Sequence, residues 1–401
     1  GGSYPSYTSV GSTVPVSLTW EKSTTYDVGL DLDFFNNRLS VSGDYYRRYT
    51  TDMYTASVAL PAVYGTGSPK GNNAEMKTDG WELSLSWRDS FKLGGKPFDY
   101  SIKAMVWDSK SVITKYVNDT GSLGTVKGFI ENGGSPSSYY VGMTVGEIWG
   151  YTVAGLFRDQ ADIDSSAIHD FVQASDKVTR PGQVKIADLD GNGFIDPGNF
   201  AVDDHGDLRI IGNQSPRYRY GVNLSARWNG IGLSVFLQGV GARDWYPGSD
   251  AGMFWGKYGR PFFALIPSIH NYTDDMYSAE RNNWDTAYWP RMTTYQSNGT
   301  KNWTRLLEIP NTRYIQSAAY LRVKNIQLDY SFPKHICSAI RLQGLKIYVN
   351  AENLFTFTPL HKYAPNFDPE GLSYDSDFAS AADGYTYPIL KSVTVGVNIT
   401  F

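Results

Sequence analysis

The sequence predicts an all-β protein, an antiparallel β-barrel that crosses a membrane, and three observations support this fold class. Aromatic residues make up 15% of the 401 residues and charged residues only 19%, which suits strands with interfacial aromatic belts better than helices. No run of about 18 apolar residues occurs, which excludes transmembrane helices. Short and long connections alternate between the predicted strands, the pattern of a membrane barrel with short periplasmic turns and long extracellular loops.

The first predicted strand, 25–34, has one apolar face and one polar face, because side chains alternate along a strand. Its polar face carries Asp27, Asp31 and Asp33, and three carboxylates cannot lie in a dry core, so that face must meet water. The pair Asn36-Asn37 then predicts a tight turn that tolerates positive φ. A strand returning from Leu39 completes a hairpin.

The same alternation recurs along the chain and predicts nine strands in all. Asn229-Gly230 between two alternating runs is the strongest short-range hairpin signal in the chain. The remaining strands are expected at 39–51, 81–88, 98–106, 218–228, 231–237, 326–332, 345–351 and 391–401.

The lengths of the connections distinguish a membrane barrel from a soluble sandwich, because the loops of a sandwich are not expected to alternate between short and long along the chain. Nine strands leave two open edges, and lipid does not tolerate open edges, so further strands are expected from polypeptide outside this chain. The short connections lie near 36–37, 91–97, 229–230 and 334–343, and the long ones span roughly 55–76, 115–214, 247–315 and 358–387.

The remaining composition excludes several classes of function. Five scattered histidines and the single Cys337 provide neither a disulfide framework nor a clustered zinc site. A net charge of −4 without a basic patch excludes nucleic acid as an expected partner. No carboxylate pair converges in a predicted cleft, so no enzyme is expected. The chain begins at Gly1 without a signal peptide, which predicts a mature or cleaved fragment.

Specific motifs occur in order along the whole chain. They are L-T-W-E-K-S-T-T-Y-D-V-G-L-D from Leu18, F-F-N-N-R-L-S from Phe34, T-D-G-W-E-L-S-L from Thr78, D-L-D-G-N-G-F-I-D from Asp188, I-G-N-Q-S-P-R-Y-R-Y-G from Ile211, A-Y-L-R-V-K-N-I-Q-L-D-Y-S-F-P from Ala319, A-E-N-L-F-T-F-T from Ala351, Asp368-Pro369-Glu370 and the terminal strand. With these motifs the chain resembles the C-terminal part of a SusC-type TonB-dependent outer-membrane transporter.

The resemblance implies a 22-stranded barrel in the bacterial outer membrane. It further implies an N-terminal plug, energy from TonB, a SusD-like surface lipoprotein as a lid, and an oligosaccharide or peptide as cargo. The plug, the TonB contact and the earlier strands would precede Gly1. The strand that ends at Phe401 would be the signal read by the barrel assembly machinery, with membrane lipid around the barrel.

One loop has the spacing of a calcium-binding loop. Oxygen ligands stand at positions one, three, five and nine, with a backbone carbonyl available at seven and a glycine at six for the sharp turn. These residues are Asp188, Asp190, Asn192, Asp196, Phe194 and Gly193. Position twelve is Asn199 and not the usual Glu, so Asp203 or Asp204 would have to reach in. A structural Ca²⁺ is expected, and an Asx-rich turn without an ion stays open as the alternative.

The long loops are rich in large aromatic residues, which favour protein interfaces and sugar stacking because they bury much area at low entropic cost. The candidates for partner or substrate contact are Trp245, Phe254, Trp255, Tyr258, Trp284, Trp289 and Trp303. A self-packed loop core is the alternative for the same residues.

The sequence therefore predicts part of an outer-membrane nutrient importer. Two other functions stay open. One is a passive or adhesive outer-membrane barrel without a lid, and the other is a soluble, calcium-dependent sugar-binding β protein.

Overall fold

A computed structural model describes residues 18–56, 70–125, 134–168, 179–248, 251–255, 275–291, 310–372 and 389–401. It is nearly all β. In chain order the strands are β1 (Lys22–Phe34), β2 (Leu39–Ala56), β3 (Lys70–Leu93), β4 (Lys96–Lys115), β5 (Glu147–Tyr151), β6 (Val153–Leu156), β7 (Val184–Ile186), β8 (Leu208–Asn213), β9 (Arg217–Trp228), β10 (Ile231–Ala242), β11 (Asp244–Trp245), β12 (Gln316–Ser317), β13 (Tyr320–Ser331), β14 (Gly344–Phe357) and β15 (Ser392–Thr400).

Nine of these strands form one sheet in the order β1-β2-β3-β4-β9-β10-β13-β14-β15, and every neighbouring pair is antiparallel. All nine predicted segments overlap these strands, and the antiparallel all-β fold is confirmed. Within the described residues, β1 and β15 are the two edges of the sheet.

Several strands are longer than the sequence pattern predicts. The segment predicted at 81–88 lies inside β3, which has 24 residues. Strict alternation of apolar and polar residues is required only where one face of a strand meets lipid and the other meets water. Beyond that band both faces can be polar, so hydrogen bonding continues where the sequence signal has already ended.

One face of the sheet carries large apolar side chains that are exposed in this chain. On β15 the exposed fractions are 66% for Val393, 74% for Val395 and 55% for Val397. The same is true of Val28 and Leu30 on β1, at the other edge. A continuous exposed apolar face of this kind suits contact with lipid.

Three of the four short connections are tight turns with residues in the left-handed region. Asn36 and Asn37 have φ of 55° and 63°, and Asn229 and Gly230 have φ of 50° and 86°. The connection predicted at 91–97 is shorter than expected, because β3 extends to Leu93 and β4 begins at Lys96. Gly94 and Gly95, with φ of 57° and 79°, suffice to reverse the chain.

Short helices occur in the connections: α1 (Gln160–Asp164), α2 (Gly252–Trp255) and α3 (Lys334–Ala339). The α3 helix links β13 to β14 and buries Cys337. Among the described residues, no helix combines the length and the apolar character needed to cross a membrane.

Three tyrosine rings lie directly over glycines of the neighbouring strand. The register pairs are Tyr46 with Gly80, Tyr220 with Gly239 and Tyr348 with Gly396. In each pair, a Cβ atom on the glycine would lie 2.3 Å from the Cζ atom of the ring. The rings therefore occupy space that only glycine leaves open.

The described parts of the long connections form a hydrophobic core of their own at one end of the sheet. Three small antiparallel sheets, β5 with β8, β6 with β7 and β11 with β12, supply its backbone. The largest fully buried side chains of this core belong to two connections, the one between β4 and β9 and the one between β10 and β13, and are Trp245, Trp255, Trp289, Tyr151, Tyr246, Tyr314, Phe254, Leu123, Ile148, Ile195 and Leu208. Connections far apart in sequence thus share one packed unit.

Ion pairs join the last long connection to the barrel wall. Arg322 of β13 is buried, and its Nη2 lies 2.6 Å from Oδ1 of Asp368 while its Nη1 lies 3.2 Å from Oε1 of Glu370. Lys324 contacts the same glutamate at 2.8 Å. Arg243, after β10, donates to the carbonyl oxygens of Pro369 and Leu372. The Asp-Pro-Glu motif therefore anchors this connection to the sheet.

Candidate functional site

The predicted calcium loop lies between β7 and β8, and its first residues form successive Asx turns. Oδ1 of Asp188 accepts a hydrogen bond from the amide of Gly191 at 2.6 Å, and Oδ2 accepts one from Gly193 at 2.9 Å. Oδ1 of Asp190 accepts from the amide of Asn192 at 3.0 Å. Gly191 and Gly193 have φ of 76° and 84°, so glycine is required where the chain bends most.

Three carboxylates converge in this loop. Oxygen atoms of Asp188, Asp190 and Asp207 all lie within 4.8 Å of one another. Asp207 is fully buried, and it accepts hydrogen bonds from the amides of Leu189 at 2.6 Å and Asp196 at 3.1 Å. These two bonds hold its carboxylate against the start of the loop.

Asp207 was missed by the sequence analysis because it lies outside the twelve-residue window of a calcium loop. Neither Asp203 nor Asp204, the residues expected to replace position twelve, belongs to the cluster. Asn199 donates its side-chain amide to Asp204 instead. The sequence offers one indication of its role: Asp207 directly precedes the apolar strand β8, and a carboxylate in that position becomes buried when the strand packs.

The other predicted ligands have different arrangements. The Asn192 side-chain amide donates to Asp190 at 3.1 Å and to Asp196 at 3.3 Å, while its oxygen accepts from the amide of Phe194. Asp196 also accepts from the amide of Gly198, so its carboxylate stays outside the three-carboxylate cluster. Phe194 pairs with Ile168 in an isolated bridge.

The loop shifts the pKa values of two of its carboxylates in opposite directions. Backbone amides, first that of Gly193, lower the pKa of Asp188. Burial raises the pKa of Asp207, and the charges of Asp190 and Asp188 raise it further. Among the described residues, no lysine or arginine forms an ion pair with any member of the cluster.

This donor set fits a hard divalent cation. Ca²⁺ prefers carboxylate and carbonyl oxygens in an adaptable geometry, whereas Mg²⁺ keeps several waters and demands an octahedron. A cation would also remove the repulsion that raises the pKa of Asp207, which the hydrogen bonds alone do not do. The residues present are thus compatible with Ca²⁺ held by Asp188, Asp190 and Asp207.

Four of the predicted contact aromatics lie in the loop core instead of at a surface. Trp245, Phe254 and Trp289 are fully buried, and Trp255 is 1% exposed. Nε1 of Trp255 donates to the carbonyl oxygen of Gly248 at 2.8 Å. Each of these four side chains packs edge-on against another ring of the cluster. In this structure they stabilise the loops, as the alternative of a self-packed core expects.

The remaining candidates are placed as follows. Trp284 is half-buried and packs against the same core from one side. Tyr258 and Trp303 lie outside the described residues. Phe401 is 82% exposed and follows β15 at one edge of the sheet.

Comparison with known proteins finds TonB-dependent receptors that are similar to this chain. A family model described as "TonB dependent receptor-like, beta-barrel" matches residues 1–171. The TonB-dependent receptor P3 of Formosa agariphila is 26% identical over 393 residues, which cover 96% of this chain and 34% of that protein. The TonB-dependent receptor SusC of Bacteroides thetaiotaomicron is 24% identical over 391 residues, covering 96% and 32%.

Solved structures agree on the fold. The structure of the RagAB peptide transporter superposes with a TM-score of 0.63 at 20% identity and covers 96% of this chain and 36% of that chain. The RagAB peptide importer in its "open-open" state gives the same TM-score. The chain spans about a third of the length of the relatives that it matches. These relatives are named as receptors and transporters, and none of these names describes an enzyme.

Proposed function

We propose that this chain is part of the β-barrel of a SusC-type TonB-dependent transporter of the outer membrane and that it serves the active import of a nutrient. The nutrient is an oligosaccharide or a peptide, and a SusD-like surface lipoprotein covers it on the extracellular side. Import draws on TonB through a plug domain. Support comes from relatives named TonB-dependent receptors, one of them SusC, and from the fold that the chain has in common with the RagAB peptide transporter.

The packed loop unit is the observation that carries this proposal. A passive pore needs only a hydrated lumen, whereas a lid needs a rigid seat on the outer side of the barrel. The described long connections bury Trp245, Trp255 and Trp289 in one core and are tied to the wall through Arg322. Such preorganisation lowers the entropic cost of binding a partner.

The contact surface for the lid is proposed on the exterior of this unit and not in its buried core. Trp284 is the described candidate, because it is half-buried and keeps one side at the surface. Tyr258 and Trp303 stay candidates for the same role. Phe401 is proposed as the residue that the barrel assembly machinery reads.

Affinity purification of the intact transporter from its own outer membrane tests the proposal. An importer is expected to bring down a surface lipoprotein in stoichiometric amount, and cells that lack TonB are expected to lose uptake of the cargo. A barrel that purifies alone, with uptake independent of TonB, would instead be passive or adhesive. Partition into water without detergent would contradict both kinds of barrel.

We further propose that Asp188, Asp190 and Asp207 hold a structural Ca²⁺, with the carbonyl of Phe194 as an additional ligand. The ion would stiffen the connection 115–214 and would take no part in chemistry. Support comes from three carboxylates within 4.8 Å of one another and from the burial of Asp207.

Calcium binding to the purified transporter, measured by equilibrium dialysis, tests this site. Asp207→Asn is expected to weaken binding by an order of magnitude or more, because it removes the buried charge that the ion neutralises. Asp203→Asn is the matched control, since Asp203 is exposed in the same loop and outside the cluster. Equal binding by wild type and by Asp207→Asn would leave the loop as an Asx-rich turn.

A further inference from the structure

A row of polar and charged residues crosses the face of the sheet that carries exposed apolar side chains nearer the short turns. Tyr26 of β1, Arg47 of β2, Asp79 of β3 and Lys110 of β4 are direct register partners on successive strands. Side chains two residues apart share a face of a strand, so this row lies on the same face as Val28, Leu83 and Val106. That face meets lipid in an outer-membrane barrel.

The row lies where the strands leave the hydrocarbon on the side of the long connections. Arg47 is the ninth residue of β2 counted from Leu39, which follows the short β1–β2 turn. Asp79 is the ninth residue counted back from Trp87, the register partner of Leu39. A tilted strand crosses the hydrocarbon in about 9–11 residues. The row is therefore level with the head groups of the outer leaflet.

The row and its neighbour Lys77 carry more positive than negative charge. Asp79 is the shared carboxylate: Nε of Arg47 lies 2.5 Å from its Oδ1, and Nζ of Lys77 lies 3.3 Å from its Oδ2. Lys110 is exposed, and no described residue forms an ion pair with it. The row and Lys77 together thus hold three cations and one carboxylate.

Nearby charges do not cancel this excess. Asp108 lies on the same face but is buried, and its Oδ1 accepts from Nε of Arg217 at 2.6 Å. Farther from the hydrocarbon, Glu75 pairs with Lys115. Each of these carboxylates has its own cation, so two positive charges on the row stay uncompensated.

A groove beside Arg47 provides room for a head group. It has a volume of about 550 Å³ and is lined by Tyr26, Val28, Tyr45, Arg47 and Tyr49. The hydroxyl of Tyr45 donates to Asp79 at 3.2 Å, which keeps that ring beside the ion pair. Nε of Arg47 donates to Asp79 and Nη2 lies 3.4 Å from the hydroxyl of Tyr45, and the guanidinium itself lines the groove.

We propose that this cationic row binds the phosphate of a phosphorylated lipid in the outer leaflet. Arg47, Lys77 and Lys110 supply charge-assisted donors to the phosphate oxygens, and the tyrosines of the groove pack against the remainder of the head group. A lipid is the fitting source because the site lies on the lipid face, where an uncompensated cation away from head groups would be costly.

Binding of diphosphoryl lipid A to the detergent-purified transporter, followed by native mass spectrometry, tests the proposal. The same lipid without its phosphates and inorganic phosphate alone serve as the two comparison probes. The test variant is Lys77→Gln/Lys110→Gln, which keeps the Arg47–Asp79 pair. Lys103→Gln is the matched control, because Lys103 is also exposed on β4 but lies on the opposite face.

Affinity for the phosphorylated lipid is expected to fall by about tenfold or more in the double variant, given the contribution of each basic residue near an anionic surface. Lys103→Gln is expected to bind as the wild type does, and the lipid without phosphates to bind weakly. Lys110→Gln alone, which breaks no ion pair, gives the same direction of change should the double variant fold poorly.

Equal affinity for the lipid with and without phosphates would overturn the proposal, as would unchanged binding by a correctly folded double variant. Equally tight binding of inorganic phosphate would mean that the site takes the free anion and not a lipid. The proposal rests on the placement of the barrel in the outer membrane and not on its cargo. Uptake can therefore fail or succeed independently of this result.

Discussion

Asp207 is a carboxylate that the fold buries while two other carboxylates stand next to it. Burial and the charges of Asp190 and Asp188 raise its pKa. In the loop without metal, Asp207 therefore binds a proton more readily than it would in the unfolded chain. Protons and a divalent cation then compete for the same oxygens.

We expect the calcium affinity of this loop to fall as the pH is lowered from 7.5 towards 5. A raised pKa means that the metal-free loop gains stability as the pH falls through the pKa of folded Asp207, so the relative advantage of calcium shrinks. Protease resistance of the connection 115–214, measured with and without calcium at both pH values, checks this. In Asp207→Asn the calcium effect should be small at either pH, and an equal calcium effect in the wild type at both would contradict the mechanism.

Of the three carboxylates in the proposed calcium site, the spacing of residues in the sequence predicted Asp188 and Asp190 but not Asp207. Asp188 and Asp190 are two residues apart, and the glycines that bend the loop stand between and beside its ligands, so the sequence shows the pattern directly. Asp207 joins them through hydrogen bonds to the amides of Leu189 and Asp196. A contact that forms only when a loop folds back on itself leaves no periodic signal in the sequence.

The long connections between the strands pack into a unit whose core consists mainly of aromatic side chains. Trp255 contacts Phe254, Trp289 and Tyr314 at ring-centroid distances of 4.8, 6.3 and 5.6 Å. Large aromatic side chains bury much apolar area each, so a few of them can stabilise long irregular segments. The core therefore lies mainly in the loops, with Ile113 of β4 as a contribution from the sheet.

We expect Trp255→Ala to destabilise the loop unit by about 3–5 kcal/mol, because it leaves a cavity and removes the hydrogen bond from the indole to the carbonyl oxygen of Gly248. Hydrogen exchange should rise in the connections while the barrel strands stay protected. Trp20→Ala is the matched control, since Trp20 is 89% exposed. Unchanged exchange in the loops of Trp255→Ala would show that the core is not shared.

Strands and loops differed in how well the sequence predicted them. The segment 218–228 alternates because each of its residues meets either lipid or water, and this one-dimensional rule is visible in the sequence. The direction in which Trp245 or Trp289 points depends on which other loop packs beside it. Composition showed that the loops are rich in aromatic residues, but only tertiary packing determines that they face one another.

At the scale of the whole molecule, the nine-stranded sheet has two open edges within the described residues, β1 and β15. Both carry exposed apolar side chains, and lipid does not tolerate unpaired backbone groups. The complete barrel must therefore pair both edges. Phe401 follows the last residue of β15 and lies at the end of the sheet that carries the short turns.

We expect Phe401→Ala to reduce the amount of assembled barrel in the outer membrane, because it removes the exposed terminal aromatic residue of the edge strand. Heat-modifiable mobility on a gel measures the assembled fraction. Leu390→Ala is the comparison variant, since Leu390 is 65% exposed just before the other end of the same strand. Equal assembly of both variants and the wild type would contradict a signal at Phe401.

The tyrosine rings over Gly80 and Gly396 have a consequence for how the barrel avoids misalignment. A hairpin that slips by two residues keeps its apolar side towards lipid, so hydrophobicity alone does not reject the error. In that slipped hairpin Tyr46 would face Thr78 or Glu82, and Tyr348 would face Thr394 or Asn398. Each of those residues has a side chain where the ring must lie. The glycines thus favour the native register of neighbouring strands over a register shifted by two residues while the barrel closes.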